Sequence, residues 1–406
     1  MLYLKMAWRN IWRNKRRTLI TMASIVMAVV LSAVMSSMQE GQYDQMIDNT
    51  VGSFTGHIQI QQAEYKDEPN LDHSLRINEV LFRQVEETAG VKAVVPRIDS
   101  YALAGGLHKT KAAMIAGIDI EAEKHLSEPD QKVISGRYFN SNSEHAVLIS
   151  AGLADYLNVQ TGDSLVLISS GFHGVSAADL IPIKGVLKFG IPDMNNGMVY
   201  MPLQTAQEFF GAYNRVTALA VMAQDAKGIH EVAQRLSSQL PDDYKVYGWQ
   251  ELMPELIQAI EADRGSGQII LMVLYMVVGF GILGTVLMMT AERKFEFGVL
   301  LSIGTSRFVI GLTLILEMAT ITILGTISGI IASLPFIYYF NINPMEFTGQ
   351  AAAAIEEYGM EPFIRFSTDP SIIINQAMIV LVITLLISIY PLIHTKRINP
   401  VEAMRH

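Results

Sequence analysis

The sequence predicts an α-helical membrane protein with four transmembrane helices and a large extracytoplasmic α+β domain inserted between the first and second helices. Half of the 406 residues are hydrophobic and the mean hydropathy is +0.29, although charged residues make up 17% of the chain. The charges are concentrated in one long segment, and four runs elsewhere are almost free of them. Each run reaches the roughly 20 apolar residues that a helix needs to cross a bilayer. Four such runs in one chain favour membrane spans over buried helices of a soluble protein.

The four predicted spans lie at 18–40, 268–290, 308–340 and 371–394. The first run is longer than the apolar core of a cleaved signal peptide, and no clear small-x-small cleavage site follows it. We therefore interpret it as an uncleaved anchor.

The distribution of lysine and arginine predicts the orientation of the spans. Segments 1–17, 291–307 and 395–406 are basic, whereas segment 341–370 is acidic. Because cytoplasmic segments carry the excess of lysine and arginine, both termini are expected in the cytoplasm. Segments 41–265 and 341–370 are then expected outside.

The basic N-terminal segment 1–17 contains Trp8 and Trp12, which are spaced i, i+4. One interpretation is an amphipathic helix that buries both rings at the level of the lipid headgroups, and the other is a plain anchor flank. The predicted membrane-interface anchors are Trp8, Arg9, Trp12, Arg13, Arg16 and Arg17.

Segment 41–265 has the patterns of a folded α+β domain. Two strand–helix halves surround a strand-rich middle, which predicts two subdomains with an insertion near 100–195. The pattern from Trp249 to Arg264 is helical and leads into the second span, with Gly265–Gly267 as a candidate break. Strands are predicted at 57–61, 91–98, 112–118, 146–150, 164–169, 181–187, 197–201, 217–223 and 244–247, and helices at 77–89, 150–157, 203–210 and 228–240.

The sequence lacks the motifs of several catalytic classes. It contains neither the G-x-x-x-x-G-K-[ST] nucleotide-binding motif nor H-E-x-x-H, and its nine histidines lack metal-ligand spacing. The absence of cysteine excludes disulfides and thiolate chemistry, and a net charge of −9 disfavours nucleic acid as a partner. We expect no catalytic, cofactor or metal site in this chain.

Apart from Glu40, the last residue of the first span, Glu317 is the one acidic residue inside a predicted span. A carboxylate within the membrane is a candidate functional group, here for a proton or a substrate. The alternatives are helix-end polarity or pairing with a basic residue, because Glu317 lies two to three turns from the cytoplasmic end of its span.

Three stretches resemble the FtsX-like permease family, which includes lipoprotein-releasing and MacB-type transporters. The first is AWRNIWRNKRRTLIT (Ala7–Thr21), and the last is INPVEAMRH (Ile398–His406), similar to a P-x-E-A-L-R ending. The middle stretch, Thr290–Glu317, resembles the cytoplasmic loop E-R-x-x-E-x-G-x-L-x-x-x-G. Residues Glu292, Arg293, Glu296, Gly298, Leu300 and Gly304 fill that pattern.

Two further stretches, Thr55–Tyr65 and Asn196–Phe210, resemble the lipoprotein-releasing permease subunits most closely. The resemblance implies a permease subunit of a type VII mechanotransmission transporter in the bacterial inner membrane. It implies a separate cytoplasmic ABC ATPase dimer, which binds ATP and magnesium, and a second permease subunit that is identical or related. Membrane lipid and a periplasmic chaperone or adaptor are further candidate partners.

Segment 291–307 is charged and then apolar, which suits a coupling helix in a groove of the ATPase, whereas a plain connecting loop is the alternative. The predicted ATPase-coupling residues are Glu292, Arg293, Lys294, Glu296, Gly298 and Gly304. The leading functional hypothesis is extraction of lipoproteins or another amphiphile from the outer leaflet. The alternatives are tripartite efflux of peptides or drugs, regulation of a cell-wall hydrolase, and a sensor that has no ATPase.

Overall fold

The computed structural model of the chain describes residues 15–225, 228–350 and 362–391, together with Arg9, Trp12, Arg13 and Ala352. The chain divides into two compact units. The first comprises Met1–Asp44, Ala259–Glu346 and Phe363–His406, and the second comprises Gln45–Gln258 and Phe347–Pro362.

The helices and strands are numbered in chain order. The helices are α1 (Lys15–Thr50), α2 (Glu79–Glu86), α3 (Ala151–Leu157), α4 (Pro192–Gly197), α5 (Leu203–Phe209), α6 (Ile229–Gln239), α7 (Trp249–Leu252), α8 (Pro254–Glu292), α9 (Lys294–Ser302), α10 (Arg307–Ile342) and α11 (Pro370–Ile387). The strands are β1 (Ile58–Gln62), β2 (Leu75–Arg76), β3 (Val91–Gly105), β4 (Thr110–Ile118), β5 (Val133–Gly136), β6 (Val147–Ser150), β7 (Ser164–Ser170), β8 (Ser176–Leu187), β9 (Met198–Pro202), β10 (Arg215–Val216), β11 (Ala218–Ala223), β12 (Tyr244–Gly248), β13 (Met345–Glu346) and β14 (Phe363–Ile364).

Four helices in the described part of the chain, α1, α8, α10 and α11, are long and apolar enough to cross a membrane. Their bounds differ from those of the predicted spans. Helix α1 continues to Thr50, ten residues beyond the predicted end, because polar residues extend a helix where the apolar run stops. Helix α8 begins at Pro254, fourteen residues before the predicted start at 268. Helix α11 ends at Ile387, and the predicted end of its span at 394 lies outside the described residues. Pro391 has no N–H to donate to the Ile387 carbonyl, which removes the next helical hydrogen bond.

The predicted helix Trp249–Arg264 is interrupted, but not at the glycines. Helix α7 ends at Leu252, and Met253 adopts φ −127°, ψ 59° before Pro254 opens α8. A residue that precedes proline is restricted away from helical angles, which explains the break at Met253. Helix α8 then passes through Gly265–Gly267 without interruption, so the expected break at that position is wrong.

A single apolar cluster joins the four long helices of the first unit. Each helix contributes residues that are almost fully buried, so the helices pack around a common core. These residues are Ile25, Ala28 and Val29 of α1, Ile282, Val286 and Met289 of α8, Met318 and Ile321 of α10, and Ala377 and Val380 of α11.

Six strands of the second unit close into a ring in the order β3-β4-β9-β6-β8-β7, since β7 pairs with both β8 and β3. The β4–β9 and β6–β8 pairs are parallel and the other four are antiparallel, so the sheet is mixed. Strands β11, β1 and β12 continue from β3 beyond the ring, and β5 adds to β8.

Alternation along the strands separates the two faces of this ring. Ala104, Ile115, Leu167 and Val199 are fully buried on one face. On the other face, Ala116, Leu148 and Tyr200 are covered by an apolar cluster that includes Phe189 and Met194. The strands at 57–61, 91–98 and the other predicted positions are therefore confirmed in type and place. The division into two subdomains stays a prediction. Strand β4, inside the predicted insertion, pairs with β9 outside it, so the sheet runs across the predicted boundary.

His57 directly precedes strand β1 and accepts a hydrogen bond at Nδ1 from the backbone N–H of Ala223, at 3.0 Å. Its carbonyl accepts from the N–H of Trp249 at 3.1 Å. Burial lowers the pKa of His57, Asp48 opposes this, and Lys92 lowers it further. The folded protein therefore prefers the neutral ring, whose Nδ1 is an acceptor.

We expect the second unit to lose stability as the pH falls. Because the pKa of His57 is lower in the folded protein than in the unfolded chain, the unfolded chain binds more protons below about pH 6.5. Loss of the bond to Ala223 costs about 1 kcal/mol, or roughly 2–4 °C in melting temperature. Thermal unfolding of the purified chain between about pH 8 and pH 5 measures this effect. In the His57→Asn variant, Oδ1 can accept the hydrogen bond in place of Nδ1, so its melting temperature should depend less on pH. An equal slope of melting temperature against pH in the variant and the wild type would exclude His57 as the cause.

Candidate functional site

Helix α9 lies between α8 and α10 in the chain, within the predicted segment 291–307. Arg293 separates it from α8, with φ −89° and ψ 4°, and its carbonyl accepts the first hydrogen bond of α9 from the N–H of Phe297 at 3.0 Å. Segment 291–307 therefore contains a distinct short helix and is not a plain connecting loop.

A glycine-dependent stop ends this helix. The N–H of Thr305 donates to the Leu300 carbonyl at 3.0 Å, and the N–H of Gly304 donates to the Leu301 carbonyl at 3.1 Å. This pair of bonds is the Schellman motif, in which the first residue beyond the helix cap, here Gly304, adopts left-handed backbone angles. Gly304 has φ +94°, so its lack of a Cβ explains its place in the pattern. Ser306 then caps α10 by accepting from the N–H of Val309 at 3.3 Å.

One face of α9 packs against the start of α10. Phe297 is buried with Ile310 and Leu314, and Leu300 and Leu301 pack against them. Gly298 lies next to Phe297 and is also buried. These contacts fix the rotation of α9 about its own axis.

The opposite face of α9 exposes an apolar stripe, which we define as Phe295, Val299 and Ile303. They are spaced i, i+4, i+8 and are 53%, 38% and 74% exposed. Side chains at this spacing share one side of a helix. An apolar stripe held at a fixed angle beside charged residues is suited to docking in a groove of another protein.

A buried ion pair fixes the start of the helix. Arg293 donates from Nη1 to Glu317 Oε2 at 2.7 Å, and the two side chains are only 4% and 1% exposed. Glu317 lies on α10, so the pair joins the α8–α9 junction to that helix. Glu317 is therefore paired with a basic residue, and a role for it toward a proton or a substrate stays a prediction. The pair also places Arg293 inside the unit and not on its surface.

Glu296 pairs with a residue from the N-terminal segment. Arg13 Nη2 lies 2.5 Å and 2.6 Å from the two carboxylate oxygens of Glu296, and both side chains are about half exposed. This bidentate pair places an N-terminal interface residue beside a predicted coupling residue. A separation of 283 residues made the contact invisible to sequence reasoning.

The other predicted site residues that the structure describes lie on the surface. Glu292 and Lys294 are exposed beside Arg293. Among the predicted anchors, Arg9, Trp12 and Arg16 are exposed. Trp8, the side chain of Arg17 and the tail 395–406 lie outside the described residues, so the shared face of Trp8 and Trp12 stays a prediction. The exposed stripe of α9 was not predicted, although its i, i+4 spacing can be read from the sequence.

Family models match both parts of the chain. The model of the MacB-like periplasmic core domain matches residues 18–239, and that of the FtsX-like permease C-terminal region matches residues 269–400. The chain belongs to this family of ABC transporter permeases. It is therefore a membrane protein with a MacB-like periplasmic domain, and helix α9 lies in its FtsX-like region.

Curated relatives of this permease agree with the assignment. The LolC transmembrane protein of a lipoprotein-releasing system from Xylella fastidiosa is 22% identical over 328 residues, 78% of each chain. The LolE protein from Haemophilus influenzae is 18% identical over 270 residues, 65% of this chain and 64% of its own. The crystal structure of the periplasmic region of MacB from Actinobacillus actinomycetemcomitans is 13% identical with a TM-score of 0.35, covering 52% of this chain and 97% of that one.

Proposed function

We propose that this permease is one membrane subunit of a mechanotransmission ABC transporter that extracts lipoproteins, or another amphiphile, from the outer leaflet of the inner membrane. A separate cytoplasmic ABC ATPase dimer binds ATP and magnesium. Its closure moves the membrane helices and, through them, the periplasmic domain. A second permease subunit, identical or related, completes the membrane part, and both termini lie in the cytoplasm.

The observation that carries this proposal is the exposed stripe of α9. Its three apolar side chains project from a helix whose start is fixed by the Arg293–Glu317 pair and whose end is fixed at Gly304. A partner that binds such a helix can displace α8 and α10 together, because both adjoin it in the chain. The substrate class is supported by the similarity to LolC and LolE, which are parts of lipoprotein-releasing systems.

We expect Ile303→Asp to weaken binding of the ATPase. Ile303 is the most exposed residue of the stripe, and a carboxylate there has to be desolvated in an apolar groove. A central apolar contact contributes about 2 kcal/mol, which corresponds to roughly thirtyfold in affinity. The measurement is binding of a cytoplasmic ABC ATPase that co-purifies with the permease to the permease in nanodiscs.

Phe308→Asp is the matched control, since Phe308 is 69% exposed but lies in the first turn of α10. It should leave binding nearly unchanged. Equal binding of the wild type and the Ile303→Asp variant would show that the stripe is not the docking surface.

The substrate is tested by purifying the permease with that ATPase and identifying acylated proteins and lipids by mass spectrometry. Addition of ATP should then release an acylated protein from proteoliposomes. Release of a peptide or drug through an added periplasmic adaptor, with no acylated protein bound, would exclude lipoprotein extraction.

A further inference from the structure

A fully buried arginine lies in the periplasmic domain, apart from the site described above. Arg97 of β3 is 0% exposed. Its Nε lies 3.6 Å from Glu123 Oε2 and 3.8 Å from Asp99 Oδ1, and Glu123 is also fully buried. Burial alone would lower the pKa of Arg97, but the carboxylates of Glu123 and Asp99 raise it above its ordinary value, so the guanidinium stays charged.

This cluster is poorly optimised for stability. Two nitrogens of Arg97, one oxygen each of Asp99 and Glu123, and the Tyr200 hydroxyl are buried without a hydrogen-bond partner among the described residues. Removing charges from water costs several kcal/mol each, and incomplete hydrogen bonding leaves part of that cost uncompensated. Apolar side chains in place of all three charged residues would often be equally stable. The charge therefore calls for an explanation other than stability.

The guanidinium of Arg97 also binds the chain that arrives from the first membrane helix. Arg97 Nη1 donates to the carbonyl of Phe54, and its guanidinium lies 5.0 Å from the centre of the Phe54 ring. Phe54 belongs to a π-helical turn, Val51–Thr55, that follows α1 directly. Such turns are rare and are frequent at functional sites.

The turn is held at its far end as well. Gly56 has φ +71°, and a Cβ there would lie 3.3 Å from Ala220 Cβ of β11. The Gly56 N–H donates to the Val51 carbonyl at 2.8 Å. The turn that joins α1 to β1 is thus held on both sides. Arg97 binds the Phe54 carbonyl, and Gly56 packs closely against β11.

We propose that Arg97 is a positioning residue that transmits movement of the first membrane helix to the periplasmic domain. Glu123 and Asp99 hold the guanidinium inside the domain, and the guanidinium holds the π-helical turn through the Phe54 carbonyl. A displacement of α1 along its axis then reaches strand β3 directly, in addition to passing through the peptide chain. This inference rests on the proposed function, in which movement has to pass from the membrane to this domain.

The test compares Arg97→Met with the wild type in the complex with the ATPase. Methionine fills similar space but neither binds the Phe54 carbonyl nor carries a charge. We expect a lower melting temperature, because Glu123 and Asp99 lose their buried counter-charge. At a temperature where the variant is still folded, basal ATP hydrolysis should be unchanged and ATP-driven release of acylated protein reduced about tenfold, within the usual range of coupling energies. Hydrogen exchange of the backbone amides in 51–55 should become faster.

Arg215→Met is the matched control. Arg215 also donates to a backbone carbonyl, that of Ser74 at 2.8 Å, and lies over an aromatic ring, that of Phe172 at 4.3 Å. It has no contact with the π-helical turn among those the structure describes. Its release rate and its exchange in 51–55 should match the wild type.

Arg97→Lys covers the case in which Arg97→Met does not fold. Lysine keeps the charge beside Glu123 but cannot bind the carboxylate and the Phe54 carbonyl with a rigid planar group, so release should still fall. Normal release by a folded Arg97 variant, while the wild type is active, would show that only this inference is wrong. If the wild-type complex releases nothing on ATP addition, the proposed function fails, and the inference fails with it.

Discussion

Replacing Glu317 by alanine is expected to destabilise the membrane unit by about 3–5 kcal/mol, because it leaves the Arg293 guanidinium buried without a counter-charge. Arg293 is 4% exposed, and its Nη1 lies 2.7 Å from the carboxylate that the substitution removes. Two further nitrogens of Arg293 already lack partners among the described residues. The measurement is thermal unfolding of the purified chain in detergent, where we expect the apparent melting temperature to fall by roughly 10 °C.

The double variant Arg293→Met with Glu317→Leu separates the loss of a pair from the exposure of an uncompensated charge. Apolar replacement of both partners is often neutral or stabilising, so the double variant should recover most of the lost stability. A single variant as stable as the wild type would mean that water reaches Arg293. A double variant less stable than the single one would mean that the pair contributes net stability.

The sequence predicted the strands of the periplasmic domain well, because alternation of apolar and polar residues depends directly on which side chains face the core. His57–Gln61 alternates and forms β1 at Ile58–Gln62. It predicted helix ends poorly, because apolarity marks the part of a helix that matches a bilayer and not the whole helix. Helix α1 therefore exceeds its predicted span, and the π-helical turn after it has no sequence signature that we used.

For the candidate site, the sequence located the segment but not the roles of its residues. The E-R-x-x-E-x-G pattern spans the end of α8, the junction at Arg293 and the first half of α9, and Gly304 of the same pattern ends α9. Arg293 and Glu296, however, bind Glu317 and Arg13, which are 24 and 283 residues away. No local pattern encodes such partners, since they follow from how the helices pack. Whether the ATPase also contacts Glu296 stays a prediction.

Replacing Gly329 by leucine is expected to separate two membrane helices. Gly325 and Gly329 are spaced i, i+4 on α10 and face Ile25 and Val29 of α1. A Cβ on Gly329 would lie 2.7 Å from Val29 Cβ, and a Cβ on Gly325 would lie 2.9 Å from Ile25 Cγ2. Small residues at this spacing allow close approach of membrane helices. Leucine favours the helix itself by about 1 kcal/mol relative to glycine, so any loss of stability must come from packing.

The measurement is again thermal unfolding in detergent, and Gly281→Leu on α8 is the control. Nothing lies within 4 Å of a Cβ built on Gly281, so the same substitution there should be neutral or stabilising. Over-packing a close contact usually costs 1–3 kcal/mol, and a full leucine side chain at Gly329 should reach or exceed the upper end. Because α1 leads into the periplasmic domain and α10 holds Glu317, such a variant should also impair ATP-driven release. If Gly329→Leu were as stable as Gly281→Leu, α1 and α10 would not depend on this close approach, and another face would have to hold them together.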